Sequence, residues 1–251
     1  MARADRVHLL STTPGTVDDG SEAIDLVQTP GDIVFLSAAD TELACLVAGR
    51  ARLDAAFPAV RLANIMRLGH NLSVDLYVDS VIRGAKVVIV RLLGGRSYWP
   101  YGVDEVEAAC REAGIAVAFL PGDDQPDPEL ASRSSVAAED CHRLWQFLVQ
   151  GGIDNAHNCL AFAASLIGAT AEWREPRPLM RAGYYLPGIA TPDLAAISTT
   201  WTVGAPVAAV VFYRALVQAG NLAPIDALCS GLRAAGLNPL PLYVTSLKDP
   251  P

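Results

Sequence analysis

Basic charge is scarce in this chain. Its 251 residues carry 19 Lys and Arg against 27 Asp and Glu, a formal net charge of -8. That balance argues against nucleic acid as a main partner, because phosphate binding favours a basic face. Cysteine is sparse as well. Cys45, Cys110, Cys141, Cys159 and Cys229 are odd in number and widely scattered, with no Cys-x-x-Cys and no Cys/His cluster at zinc spacing. Neither a disulfide framework nor a structural metal site is indicated, and the thiols read as small core residues in a reducing compartment. Long apolar runs are missing. Leu194–Tyr213 carries no charge but holds Ser198, Thr199, Thr200, Thr202, Gly204 and Pro206, poor material for a membrane helix. It reads as a polar loop followed by a buried strand. Val7–Ser11 is too short for a signal-peptide core. These absences point to a soluble cytoplasmic protein with no membrane partner.

Three catalytic fingerprints are also missing. There is no Gly-x-x-x-x-Gly-Lys-Ser/Thr, so no phosphate-binding loop is encoded and any ATP must be bound by another chain. Gly-x-Gly-x-x-Gly is lacking, which removes the nicotinamide and flavin fingerprint. No Gly-x-Ser-x-Gly nucleophile elbow occurs.

The sequence holds enough apolar residues, 51%, to bury a real core. Strands are expected at Val7–Ser11, Ile33–Ser37, Val60–Ile65, Lys86–Leu93 and Ile115–Leu120. Helices separate them: one from Asp40 to about Arg52, one from Ser73, and one over Asp104–Ala113 closed by Gly114. Repeated strand–helix units imply an α/β fold with a parallel sheet, Rossmann-like or flavodoxin-like, over residues 1–128. Val136–Gln150 and Ile153–Ile167 form a helical hairpin within residues 129–178, which end in the stiff connector Glu175-Pro-Arg-Pro. A second α/β unit over 179–251 has strands Ala182–Leu186, Val207–Tyr213 and Leu240–Thr245 and a helix from Pro224 to Ala235. Three short strands and one helix leave exposed edges and little cover, so this unit reads as incomplete.

The densest candidate site is Gly94-Gly-Arg-Ser-Tyr-Trp-Pro-Tyr-Gly102, directly after the apolar run Lys86–Leu93. Ligands of open α/β sheets bind beyond the carboxyl ends of strands. Gly94 and Gly95 allow close backbone approach, Arg96 can fork onto a carboxylate or phosphate, and Tyr98, Trp99 and Tyr101 can cover a flat ring. The competing reading is that these aromatics plug the top of the sheet. Among the histidines, His8 lies within an expected strand, and His142 and His157 sit on different helices. His70, in a loop between strand and helix, either faces the ligand or orients its loop through a backbone hydrogen bond. Arg67 and Arg91 add positive charge near the rim, although Arg91, inside a strand, can instead meet a buried carboxylate. Tyr213 and Arg214 are lesser candidates. Asp123, Asp124 and Asp127 either bind a metal or serve turns.

Four segments carry a family likeness: Asp32-Ile-Val-Phe-Leu-Ser-Ala-Ala-Asp-Thr-Glu-Leu, Arg91-Leu-Leu-Gly-Gly-Arg-Ser-Tyr-Trp-Pro-Tyr-Gly, Val211-Phe-Tyr-Arg-Ala-Leu-Val-Gln-Ala-Gly and Gly236-Leu-Asn-Pro-Leu-Pro-Leu-Tyr-Val-Thr-Ser-Leu-Lys-Asp. In order and along the whole chain they resemble the N-terminal region of the large subunit of cobaltochelatase, the CobN family, itself related to the H subunit of magnesium chelatase. The resemblance implies insertion of Co²⁺, as substrate, into hydrogenobyrinic acid a,c-diamide in aerobic cobalamin synthesis. It also implies that ATP and Mg²⁺ are used by separate AAA+ partner subunits, which fits the missing phosphate-binding loop. The family polypeptide is several times longer, so this segment is expected to be inactive alone and to supply macrocycle-binding or partner-docking surface. The roles given to Gly94, Gly95, Arg96, Tyr98, Trp99, Tyr101 and His70 come from the residues themselves.

Overall fold

The computed structural model describes residues 22–248. The expected strand Val7–Ser11, and His8 with it, lie outside them. The chain divides between Arg177 and Pro178 into two compact units.

The first unit runs β1 (Ile33–Ser37), α1 (Asp40–Arg50), β2 (Val60–Asn64), α2 (Asn71–Ser80), β3 (Val87–Leu92), α3 (Pro100–Ala113), β4 (Ala116–Pro121), α4 (Pro128–Arg133), α5 (Ala138–Gln150) and α6 (Ile153–Leu166). Among the described residues its four strands are all parallel, in the order β2-β1-β3-β4. That order, which the sequence alone does not reveal, is flavodoxin-like, and its switch point falls between the carboxyl ends of β1 and β3.

The apolar runs of the strands arise because both faces are covered. Ile33 and Phe35 join Leu62, Val87, Ile89, Ala118 and Leu120 beneath α1, α5 and α6. Val34 and Leu36 join Val88, Val90, Val117 and Phe119 beneath α2 and α3. The helical hairpin is therefore a layer of the first unit, since its apolar stripe buries against this sheet. β4 is an edge strand, and the Ser134 and Ser135 hydroxyls each accept one of its N–H groups, from Phe119 and Val117 at 2.9 Å. That cover blunts the edge against foreign strands.

Helix boundaries differ from expectation where proline sets them. α3 starts at Pro100 rather than Asp104, because proline suits the first helical position; Gly114 ends it at φ 67° as expected. Pro128 starts α4, and the Asp127 carboxylate caps it by accepting from the Glu129 and Leu130 N–H groups at 3.0 Å. α2 starts two residues earlier than expected, at Asn71, because the His70 side chain caps it.

In the second unit the elements are β5 (Ala182–Tyr184), α7 (Leu194–Ser198), β6 (Val207–Tyr213), α8 (Arg214–Gln218), α9 (Ala223–Ala234) and β7 (Asn238–Val244). The sheet order is β5-β7-β6, with β6 and β7 parallel and β5 antiparallel to β7. Ile225 and Cys229 of α9 pack on Val210, Phe212 and Tyr243. The expected polar loop before β6 contains one short helical turn, α7, where the Asp193 carboxylate accepts from the Ala196 N–H at 2.7 Å. No helix among the described residues is long and apolar enough to cross a membrane.

Candidate functional site at the rim of the first sheet

The backbone leaving β3 turns sharply at Gly94 (φ 87°) and Gly95 (φ 70°). Both conformations belong to glycine. At Gly95 there is a further constraint: an added Cβ would stand 2.8 Å from the Asp127 carboxylate. The chain then makes a short 3-10 turn over Arg96–Tyr98 before α3 begins.

The three aromatics separate into three environments. Trp99 is only 6% exposed, and its indole N–H donates to the Leu68 carbonyl at 2.9 Å. It packs in the core beneath α2 and α3, so it presents no face to a ligand. Tyr101 lies on α3 because that helix starts early; it is half-buried and donates to the Asp75 carboxylate at 2.6 Å. That carboxylate pushes the phenol up to about 12. Tyr98 stays out, 45% exposed, its hydroxyl 3.1 Å from the Met66 sulfur. Trp99 also explains Gly102: a Cβ there would meet the indole at 2.0 Å. Gly102→Ala is expected to destabilise the first unit by about 3 kcal/mol, at the upper end of overpacking costs; urea unfolding measures it.

The arginines are committed. Arg96 forks onto Asp104, Nε to Oδ1 at 3.1 Å and Nη2 to Oδ2 at 2.5 Å. The pair holds the Asp104 carboxyl below its ordinary value, chiefly through that hydrogen bond. A depressed carboxylate stabilises the fold at neutral pH and loses that contribution as pH falls below the usual carboxylate range. Arg91 takes the second of its expected roles. Its guanidinium pairs with Glu42 of α1 and donates to the Pro121 and Gly122 carbonyls at 3.2 and 2.9 Å. Burial pulls its pKa down to about 10, so it stays cationic at neutral pH. Arg214 of the second unit donates to the Leu179 and Met180 carbonyls.

His70 accepts from the Leu72 N–H through Nδ1 at 3.1 Å, the backbone-orienting alternative. His142 lies edge-on to Trp145 of its own helix, and His157 sits where α6 passes Gly49 of α1. Among the described residues no group of three or more His, Cys, Asp or Glu side chains is placed to hold a metal ion. Asp123 and Asp127 accept from nearby backbone N–H groups, of Gln125 in one case and of Glu129 and Leu130 in the other.

What reaches solvent at this rim is an apolar group with an acidic border. Met66, against the Tyr98 hydroxyl, and Leu93, just past the end of β3, are each 57% exposed. Leu93 abuts Gly122, whose loop continues into exposed Asp123 and Asp124 and half-buried Asp127. Met66 and Leu93 were missed by sequence reasoning, which looked for rings and charges; two large apolar residues just past strand ends were the available signal. A separate groove of about 410 Å³ lies at the opposite end of β4, between Arg111, Gly114 and Ser135.

Comparison with known proteins bears on the whole chain. Residues 145–251 match the profile of the CobN/Magnesium Chelatase family. The aerobic cobaltochelatase subunit CobN of Sinorhizobium sp is 43% identical over 97% of this chain and 20% of its own length. Its namesake from Pseudomonas aeruginosa shows the same identity and shares. The catalytic subunit of cobaltochelatase from Mycobacterium tuberculosis superposes with a TM-score of 0.66 at 30% identity, over 87% of this chain and 16% of that one. The chain spans about a fifth of the length of the curated relatives it matches.

Proposed function

The chain belongs to the CobN/magnesium chelatase family, and from that premise we propose that it serves as part of the large subunit of a cytoplasmic, ATP-dependent cobaltochelatase. The reaction inserts Co²⁺, a substrate, into hydrogenobyrinic acid a,c-diamide. It requires the ring to be deformed, its pyrrolic protons removed by a base and the metal stripped of water. ATP and Mg²⁺ are handled by AAA+ partner subunits. Within that assembly this chain is a non-catalytic docking module.

The observation that supports docking is the rim of the first sheet. Tyr98 and Met66 are exposed in contact with each other and Leu93, against Gly122, is exposed as well, while Arg91 and Arg96 are both engaged by carboxylates. Asp123, Asp124 and Asp127 border the patch. An exposed apolar group beyond strand ends marks an interaction site. Its acidic border attracts a basic protein surface and repels a ring that carries carboxylates. The ATPase subunits are the partner proposed.

Tyr98 favours a second reading. Its phenol, resting on Met66, is a flat apolar platform suited to a macrocycle face. Of the proposed macrocycle-binding residues Gly94, Gly95, Arg96, Tyr98, Trp99, Tyr101 and His70, Tyr98 is the one that offers such a ring. Titration of the chain with hydrogenobyrinic acid a,c-diamide, followed by tryptophan fluorescence, separates the two. The docking reading expects no saturable quenching. Saturable quenching lost in Tyr98→Ala would establish the macrocycle reading instead.

A further inference from the structure

The second unit has one covered sheet face and one open face, and both are apolar. Along β6 the residues alternate: Val210 and Phe212 are buried under α9, while Val207, Val211 and Tyr213 are 50%, 49% and 56% exposed. The register continues this face onto β7, with Val211 beside Leu242 and Tyr213 beside Val244. Leu240, Leu242 and Val244 are half-buried there. A sheet meant to meet water on one side alternates apolar with polar residues, whereas parallel strands packed on both faces read as continuous apolar runs. Val207–Tyr213 and Leu240–Val244 read as the second kind. Helix α9 connects β6 to β7 and covers one side only; right-handed crossovers run in the opposite direction place their helices on the other.

We propose that the open face of the β5-β7-β6 sheet is the packing site for amphipathic helices from the remainder of the cobaltochelatase large subunit. The occupant follows from two facts. The curated relatives are about five times the length of the segment they share with this chain, which covers 20% of each. The face carries no charged side chain along β6 or β7, so a helix with an apolar stripe is its complement.

The test places a reactive probe on the face. Val211→Cys is made in the 251-residue chain and in the complete large subunit, and labelling by a small maleimide is timed under native conditions. The unsubstituted protein supplies the background from its own thiols. The expected result is rapid labelling in the chain alone at all concentrations, and labelling slower on the order of 100-fold in the complete subunit. Equal rates in the two proteins would overturn the proposal. So would protection in the chain alone: if it grows with protein concentration the occupant is a second copy, and if it does not the chain covers the face itself. Val211→Lys gives a second readout. It is expected to leave the melting temperature of the chain within about 2 °C and to lower that of the complete subunit. No change in the complete subunit would contradict the account.

Discussion

Arg91→Met is expected to destabilise the first unit by about 3–5 kcal/mol, the cost of leaving a buried partner charge uncompensated. Arg91 and Glu42 are only 12% and 11% exposed along their side chains. The guanidinium ties β3, its own strand, to two other segments at the switch point: the first turn of α1 through Glu42, and the end of β4 through the Pro121 and Gly122 carbonyls. Without it, Glu42 and both carbonyls lose a donor together. Glu42 has little in reserve, since its Oε1 is already buried without a hydrogen bond. The loss corresponds to a fall in melting temperature on the order of 10 °C. The double variant Glu42→Gln with Arg91→Met is expected to be more stable than Arg91→Met alone, because it removes the stranded charge. Thermal unfolding of the two variants checks both statements. A fall of under about 1 kcal/mol for Arg91→Met, typical of an exposed pair, would show that the pair is solvated.

Trp99→Ala carries the second large effect, about 3–5 kcal/mol for truncating a buried indole, and it also strands the Leu68 carbonyl. Tyr98→Ala, one residue away, is expected to cost under about 1 kcal/mol, since nearly half of its surface is exposed and it rests on exposed Met66. The pair therefore separates structure from surface within one loop. Urea unfolding measures each, and equal losses at the two positions would mean that the loop is packed throughout.

That contrast shows what the sequence made legible. Alternating strand and helix signals identified the first sheet because buried parallel strands are continuous apolar runs. Strand order was not legible, since it depends on which crossovers run over which face. The candidate segment was legible from its glycines, arginine and aromatics, but the environments of its side chains were not, because of one misplaced boundary. With α3 started at Asp104, Tyr98, Trp99 and Tyr101 all fell in a loop. Pro100 was the signal for an earlier start, and once the helix begins there Tyr101 turns towards Asp75 and Trp99 under the helix. Asp127-Pro128 was a similar signal for α4. Arg91 was readable as half of a buried pair from its place inside a strand, but its partner was not, because Glu42 is nearby only after β1 and β3 align. Arg96 looked free because Asp104 lies eight residues on, across a bend that only the fold supplies.

The acidic, apolar rim that carries Tyr98, Met66 and Leu93 is proposed to dock a protein partner. Calorimetric titration of the chain with the AAA+ subunits of cobaltochelatase, at low and high salt, tests it most directly. The account predicts saturable binding that weakens with salt. It also predicts at least about tenfold weaker binding when Tyr98→Ala is combined with Asp123→Lys and Asp124→Lys, as expected for an apolar anchor with steering charges. Binding unchanged by those substitutions, or no binding by a folded chain, would contradict it.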